Sequence, residues 1–136
     1  MAFDPTNDYP LGTKRPDLVS TPGGVALEDI TLEKLSAGAI GVGEIRARPE
    51  TLRLQADVAR AAGRPQLAEN LERAAELAVV PEDVLLDVYT ALRPGRATAA
   101  ELEQWASRLE GYGAGKTAAF VREAAAVYVE RGLVRG

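Results

Sequence analysis

The segment Gly111-Tyr112-Gly113-Ala114-Gly115-Lys116-Thr117 holds the residue types most suggestive of chemistry in this sequence. Its closing Gly-Lys-Thr is shared with phosphate-binding loops, in which glycine amides and a lysine hold phosphate oxygens. The complete motif needs a glycine where this sequence has Glu110, and a carboxylate there would repel a phosphate. It also needs a preceding buried strand, whereas a helical pattern precedes this segment. The segment is therefore predicted to be a glycine-rich linker between two helices.

Two groups of carboxylates could perform acid–base chemistry or bind a divalent cation. They are Glu69, Glu72 and Glu76 in one segment and Glu82, Asp83 and Asp87 in the next. The sequence contains no histidine and no cysteine, which excludes His/Cys zinc sites, a cysteine nucleophile and the Glu-x-x-His motif of a di-iron bundle. Both groups are therefore predicted to be solvated helix faces. We predict no catalytic, cofactor-binding or metal-binding residue on this chain.

The composition limits the class of protein. A chain of 136 residues with a formal charge of -4 is long enough for one domain and lacks the basic surface typical of nucleic-acid binders. No stretch approaches the roughly 20 apolar residues of a membrane span, and the first ten residues lack the plan of a secretory signal. The absence of cysteine fits a reducing compartment. We expect a cytoplasmic protein that contacts neither nucleic acid nor membrane.

Residues 1–26 are predicted to form an extended, irregular N-terminal arm. Prolines recur there every five or six residues with glycines between them, and each proline disfavours helix at the residue before it. The arm is either a frayed tail or a segment that orders on a partner, for which Tyr9 would be an apolar anchor. Lys14 and Arg15 could contact an acidic partner surface. Tyr9, Lys14 and Arg15 are the predicted partner-contact residues.

Residues 27–136 are predicted to form a helical domain. The 24 alanines and 16 leucines favour helix, and prolines and glycines mark where helices begin and end. Five main helices are predicted: Pro49 to Gly63, Pro65 to about Val80, Pro81 to before Pro94, Thr98 to about Glu110, and about Gly115 to Arg131. Thr98 and Glu101 have the spacing of a capping box. The fold class is all-α, a small bundle of about five helices.

The apolar stripes on these helices are rich in alanine and therefore thin. The predicted stripes are Leu54/Val58/Ala61, Leu67/Leu71/Ala74/Ala78, Val84/Leu85/Val88/Leu92, Leu102/Ala106/Leu109 and Phe120/Ala124/Val127/Tyr128. Alanine buries little surface, so a thin stripe contributes little at about 25 cal/mol per Å². We therefore expect some helix faces to complete their burial against another subunit. Trp105 is either a core residue or an interface anchor.

Several ordered segments resemble the small subunits of diol and glycerol dehydratases. They are Tyr9-Pro10-Leu11, Lys14 to Asp17, Leu27 to Glu33, Pro49 to Val80, Tyr89 to Arg96 with Thr98, Ala118 to Ala125, and Tyr128, Glu130 and Arg131. These segments occur in the same order across nearly the whole chain, which makes the resemblance specific.

The resemblance implies a subunit of an adenosylcobalamin-dependent lyase that converts 1,2-diols or glycerol to aldehydes and water. Such enzymes assemble as dimers of heterotrimers with large, medium and small subunits. The large subunit holds the substrate and its metal ion, and cobalamin lies between the large and medium subunits. The small subunit is helical, docks on the large one and stabilises it, and is expected to supply no catalytic or cofactor-binding group. Cobalamin chemistry needs binding and orientation from the protein, here from the other subunits.

The N-terminus departs from some members of that family. Those members carry a longer N-terminal extension linked to packing in bacterial microcompartments, whereas eight residues precede Tyr9 here. Encapsulation through this subunit is therefore less expected than a cytoplasmic location. A standalone helical interaction module is the alternative function, and a helix-turn-helix regulator is disfavoured by the negative charge.

Overall fold

The computed structural model describes all residues from Met1 to Gly136, and its regular elements are helices and 3-10 turns. Its only β feature is an isolated bridge between Ser20 and Ala26, so the predicted all-α class is confirmed. Residue contacts divide the chain into two compact units, Met1–Ala78 and Val79–Gly136. The division lies at residue 78, whereas the sequence placed a boundary after residue 26.

The arm of the first unit is irregular and still folded. It contains the four-residue helix α1 (Leu11–Lys14), with Leu11 only 2% exposed, and a 3-10 turn at Pro16–Leu18. Further 3-10 turns at Leu27–Asp29 and Val42–Glu44 flank helix α2 (Leu32–Ser36). The arm thus has a buried anchor of its own within the first unit.

Two side chains fix the segment between the arm and the first long helix. The Thr31 hydroxyl accepts a hydrogen bond from the Lys34 N–H at 3.2 Å and caps α2. The Glu44 carboxylate accepts hydrogen bonds from the Thr21 hydroxyl and from the Gly23 N–H, the latter at 2.9 Å. A side chain on Gly23 would require this flexible carboxylate to move.

Helices α3 (Pro49–Ala61) and α4 (Pro65–Leu77) form an antiparallel hairpin in the first unit. Prolines begin both helices, as predicted, because the first helical turn does not need the missing N–H. Ala56, Ala59 and Ala68 are buried where the helices meet, with Leu71 packed against them. Alanine at these positions lets the two backbones approach closely, so little apolar volume lies between them.

The second unit consists of α5 (Glu82–Ala91), α6 (Ala99–Gly111) and α7 (Gly115–Glu130). The predicted capping box begins α6: the Glu101 N–H donates to the Thr98 hydroxyl at 3.1 Å, and the Thr98 N–H donates to the Glu101 carboxylate at 2.8 Å. The Tyr128 hydroxyl donates to the Leu92 carbonyl at 2.6 Å and joins α7 to the end of α5. The five main helices are confirmed with lengths of 10 to 16 residues.

The two long hairpins repeat one another at a separation of fifty residues. Helices α3 and α6 have the same length and the same fifty-residue offset at both ends, and α4 and α7 begin at that offset. Gly63 and Gly113 join the helices with φ values of 74° and 80°, a backbone region that favours glycine. The buried pair Ala56 and Ala68 likewise has its counterparts in Ala106 and Ala118.

Each hairpin has an ion pair between its two helices, and the two pairs occupy equivalent positions fifty residues apart. The basic and acidic residues exchange places between the two pairs. Arg60 binds Glu72 at 2.5 Å in the first hairpin, and Glu110 binds Arg122 at 2.5 Å in the second. Arg122 also binds Glu103 at 2.8 Å, and its hydrogen bonds lower the pKa of both carboxyl groups. The repeat is therefore one of geometry, since few side chains are identical between its halves.

The buried faces of three helices differ from the predicted stripes. Leu67, Phe120 and Val127 are 40% to 46% exposed, and Ala61 is also exposed. The buried positions on the same helices are mostly alanines and small residues, such as Ala75 in α4 and Ala118 in α7. Only the stripe of α6, with Leu102, Ala106 and Leu109 fully buried, is confirmed in full. Residue size alone does not decide which positions lie inside, since Val121 on α7 is fully buried while Val127 is exposed.

Enlarging one buried alanine tests this close packing. Ala106 is fully buried, so Ala106→Leu is expected to lower the free energy of unfolding by about 1–3 kcal/mol through overpacking. The exposed Ala100, on the same helix, gives the matched control, because Ala100→Leu should change stability by less than about 0.5 kcal/mol. Urea denaturation followed by circular dichroism measures both. Equal stabilities for the two variants would contradict a tightly packed seam.

Candidate docking surface

The segment that shares Gly-Lys-Thr with phosphate-binding loops lies between two helices. Helix α6 ends at Gly111 and α7 begins at Gly115, so residues 112–114 form the connection that the sequence predicted. Gly113, with its positive φ, reverses the chain direction here as Gly63 does in the first hairpin. A structural requirement of the hairpin thus explains the glycine at position 113.

The second acidic group, Glu82, Asp83 and Asp87, is exposed as predicted, whereas in the first group only Glu69 is exposed and Glu72 and Glu76 are partly buried. Glu82 and Asp83 occupy the first turn of α5, where the positive end of the helix dipole favours a carboxylate. Glu72 binds Arg60 across the first hairpin. No group of three or more carboxylates is arranged to hold a metal ion.

Arg15 is the centre of a polar network inside the arm. Its guanidinium binds Asp8 at 3.0 Å and Asp17 at 2.9 Å, and its side chain is only 12% exposed. The hydrogen bond with Asp17, followed by that with Asp8, raises the pKa of Arg15. Arg15 therefore positions the arm, and this use of its donors could not be inferred from the sequence pattern alone.

Tyr9 and Lys14 are more accessible than Arg15. The Tyr9 side chain is 52% exposed and, with Pro5 and Thr6, borders a small crevice of about 170 Å³ whose other wall is Val58, Ala61 and Ala62 on α3. The Lys14 ammonium donates to the Asn7 carbonyl at 2.7 Å. The assignment of Tyr9, Lys14 and Arg15 to a partner contact stays a prediction.

Several helices expose large apolar side chains while burying small ones. Eight of the sixteen buried apolar residues are alanine, whereas Leu86 and Tyr89 on α5 are 61% and 58% exposed. Helix α5 buries Val84 and Val88 on its other face, so it is apolar on two sides. A helix with two apolar faces is typical of one that is buried on both. Leu32, Val42 and Ile45 add exposed apolar surface to the first unit.

Trp105 was predicted to be either a core residue or an interface anchor, and its exposure in the structure is intermediate. It is partly buried on α6, and the guanidinium of Arg108 lies 5.3 Å from its ring centroid. It lines a surface groove of about 640 Å³ in the second unit, bounded by α5, the α5–α6 connection, α6 and Arg135. Sequence reasoning missed this groove because α5 and the C-terminus approach α6 only in the folded unit.

These features define a helical protein that exposes several large apolar side chains. No helix is both long enough and apolar enough to span a membrane. The sequence model of the dehydratase small subunit family matches residues 5–135, which is nearly the whole chain. The chain therefore belongs to the dehydratase small subunit family, as its sequence segments predicted.

Two relatives have similar sequences over most of their length. The propanediol dehydratase small subunit of Citrobacter freundii is 52% identical over 130 residues, covering 95% of this chain and 76% of the relative. The propanediol dehydratase small subunit of Salmonella typhimurium is 50% identical over 131 residues, covering 96% and 76%. This chain thus belongs to a family whose members are subunits of a dehydratase.

The arm network leads to a prediction about pH. The hydrogen bond from Arg15 lowers the pKa of Asp17 below its ordinary value of 3.8, and Asn7 does the same for Asp4. The stabilisation they provide is therefore present above about pH 3.8 and is lost as the pH falls through the lower, folded-state pKa values. NMR titration of the Asp17 carboxyl carbon is expected to give a midpoint below 3.8.

Arg15→Ala supplies the control for this titration. Without the guanidinium the Asp17 midpoint should return towards 3.8, while that of Asp4, held by Asn7, should stay low. An Asp17 midpoint at or above 3.8 in the unmodified chain would contradict the described contact.

Proposed function

We propose that this chain is the small subunit of an adenosylcobalamin-dependent propanediol dehydratase, which converts a 1,2-diol to an aldehyde and water. In this role it docks on the large subunit and stabilises it, without supplying a catalytic group. Support for the substrate class comes from the two relatives, both named propanediol dehydratase small subunits. Glycerol is the alternative substrate within the same chemistry.

The distribution of apolar side chains is the observation that carries the docking role. Half of the buried apolar residues are alanine, whereas Leu86, Tyr89 and Phe120 are among the large side chains left exposed. Burying one large aliphatic or aromatic side chain is worth roughly 1.5–3 kcal/mol. Contact of these faces with a larger subunit would therefore add stability that the chain's own thin interior does not provide.

The cofactor is assigned to other subunits in this proposal. Adenosylcobalamin supplies the radical chemistry when bound, and protein groups hold and orient it. This chain has no histidine or cysteine side chain to ligate cobalt, and the groove beside Trp105 is open to the surface. We therefore derive no catalytic step through residues of this chain.

The proposed assembly is a dimer of heterotrimers with large, medium and small subunits. We place it in the cytoplasm, since a chain without cysteine is compatible with a reducing compartment. The same compatibility would hold inside a microcompartment, which we regard as the less favoured location.

Co-expression with the large and medium subunits tests the proposal. Affinity purification through a tag on the small subunit should recover both partners, and native mass spectrometry should give two copies of each chain. The recovered complex should dehydrate propane-1,2-diol when adenosylcobalamin is added, with glycerol assayed in parallel. The large and medium subunits purified without this chain should be less stable to heat. Failure to co-purify, or unchanged activity and stability without the chain, would contradict the proposal.

A further inference from the structure

Comparison of the two hairpins, whose equivalent positions are fifty residues apart, shows which side chains the hairpin fold requires and which it does not. Positions that match in both halves, such as Ala56 with Ala106 and Gly63 with Gly113, maintain the helix seam and the turn. Trp105 occupies the position that Gln55 has in the first hairpin. The first hairpin forms with an amide there, so the hairpin does not require an indole at this position. Trp105 is therefore a candidate for recognition.

The surroundings of Trp105 form a groove with polar walls. Asp87 comes from α5, Arg96 from the connection, Glu101 and Arg108 from α6, and Arg135 from the C-terminal segment. The Arg135 guanidinium donates hydrogen bonds to the Glu101 carboxylate at 2.5 Å and to the Arg96 carbonyl at 3.2 Å. An aromatic ring beside guanidinium groups in a concave surface is typical of protein interface hot spots.

The charge of the groove differs in sign from that of the chain. Three arginines line it against two carboxylates, in a chain whose formal charge is -4. Glu101 is already engaged twice, by the capping box and by Arg135. The local excess of guanidinium groups is complementary to carboxylate side chains on a partner.

In the first unit, a segment of the arm lies beside the part of α3 that is equivalent to the part of α6 around Arg108. Val58, at the position equivalent to Arg108, lies with Ala61 and Ala62 opposite Pro5, Thr6 and Tyr9 of the arm. An irregular peptide segment thus runs beside this flank of α3. Of the equivalent positions in the second hairpin, Arg108 lines the open groove.

We propose that the groove around Trp105 binds an extended acidic segment of a larger dehydratase subunit, with Trp105 and Arg108 as its main contacts. The inference rests on the proposed function, and it assigns the site of docking within this chain. The arm of a second copy is a less suitable occupant, because the Arg15 network with Asp8 and Asp17 holds the arm within its own unit.

Affinity measurements on the complex with large and medium subunits test this assignment. Trp105→Ala is expected to weaken association about thirtyfold, as for a hot-spot aromatic residue. Arg108→Glu should weaken it at least tenfold, with the loss diminishing as salt is raised. Gln55→Ala, at the equivalent position of the first hairpin, and Arg53→Glu, on the exposed face of α3, are the matched controls and should stay within twofold. Circular dichroism verifies that each variant is helical before its affinity is measured.

Photo-cross-linking identifies the occupant directly. A p-benzoylphenylalanine in place of Gln104, which lines the groove, should attach to an acidic segment of another subunit when the complex is irradiated. Attachment to the arm of a second copy, or affinities unchanged in both Trp105→Ala and Arg108→Glu, would overturn the inference while leaving the proposed function intact. If the unmodified chain did not co-purify at all, the proposed function would itself fail and this inference with it.

Discussion

Close packing of helices through alanine is the constraint on which the rest of this structure depends. Both long hairpins bring their helices together at small buried residues, with Ala56 and Ala68 in one and Ala106 and Ala118 in the other. A seam of this kind fixes helix separation accurately but removes little apolar surface from water per residue. The Arg60–Glu72 and Arg122–Glu110 pairs also join the helices of each hairpin, but exposure to water limits their strength.

Not all large apolar side chains lie inside the hairpins. Phe120 and Val127 on α7 are exposed, although Val121 on the same helix is fully buried, and α5 carries apolar residues on two faces. A chain that functioned alone would expose these side chains to water permanently, with the attendant risk of aggregation. The proposed docking on a larger subunit would cover these side chains, and membership of the small subunit family is compatible with it.

Local sequence signals predicted the helices well because their ends are set by local chemistry. Proline at the start of α3 and α4, glycine at the turns and the Thr98–Glu101 capping box act through neighbouring backbone groups, which a sequence displays directly. Helix faces were harder, because periodicity gives weight to large residues such as Leu67, whereas the seam selects alanine. The role of Arg15 within the arm and the groove around Trp105 depend on contacts between distant segments. The spacing of Gly63 and Gly113, fifty residues apart in equivalent helix contexts, was the sequence signal that could have revealed the repeat.

Hydrogen–deuterium exchange on the small subunit, alone and within the assembled dehydratase, tests most directly whether its outer faces are completed by a partner. The account predicts that amides in α5 and α7 exchange substantially faster in the isolated chain than in the assembly, because their apolar outer faces become covered. Equal exchange rates for α5 and α7 in the two states would show that the chain is self-sufficient, and would contradict the account.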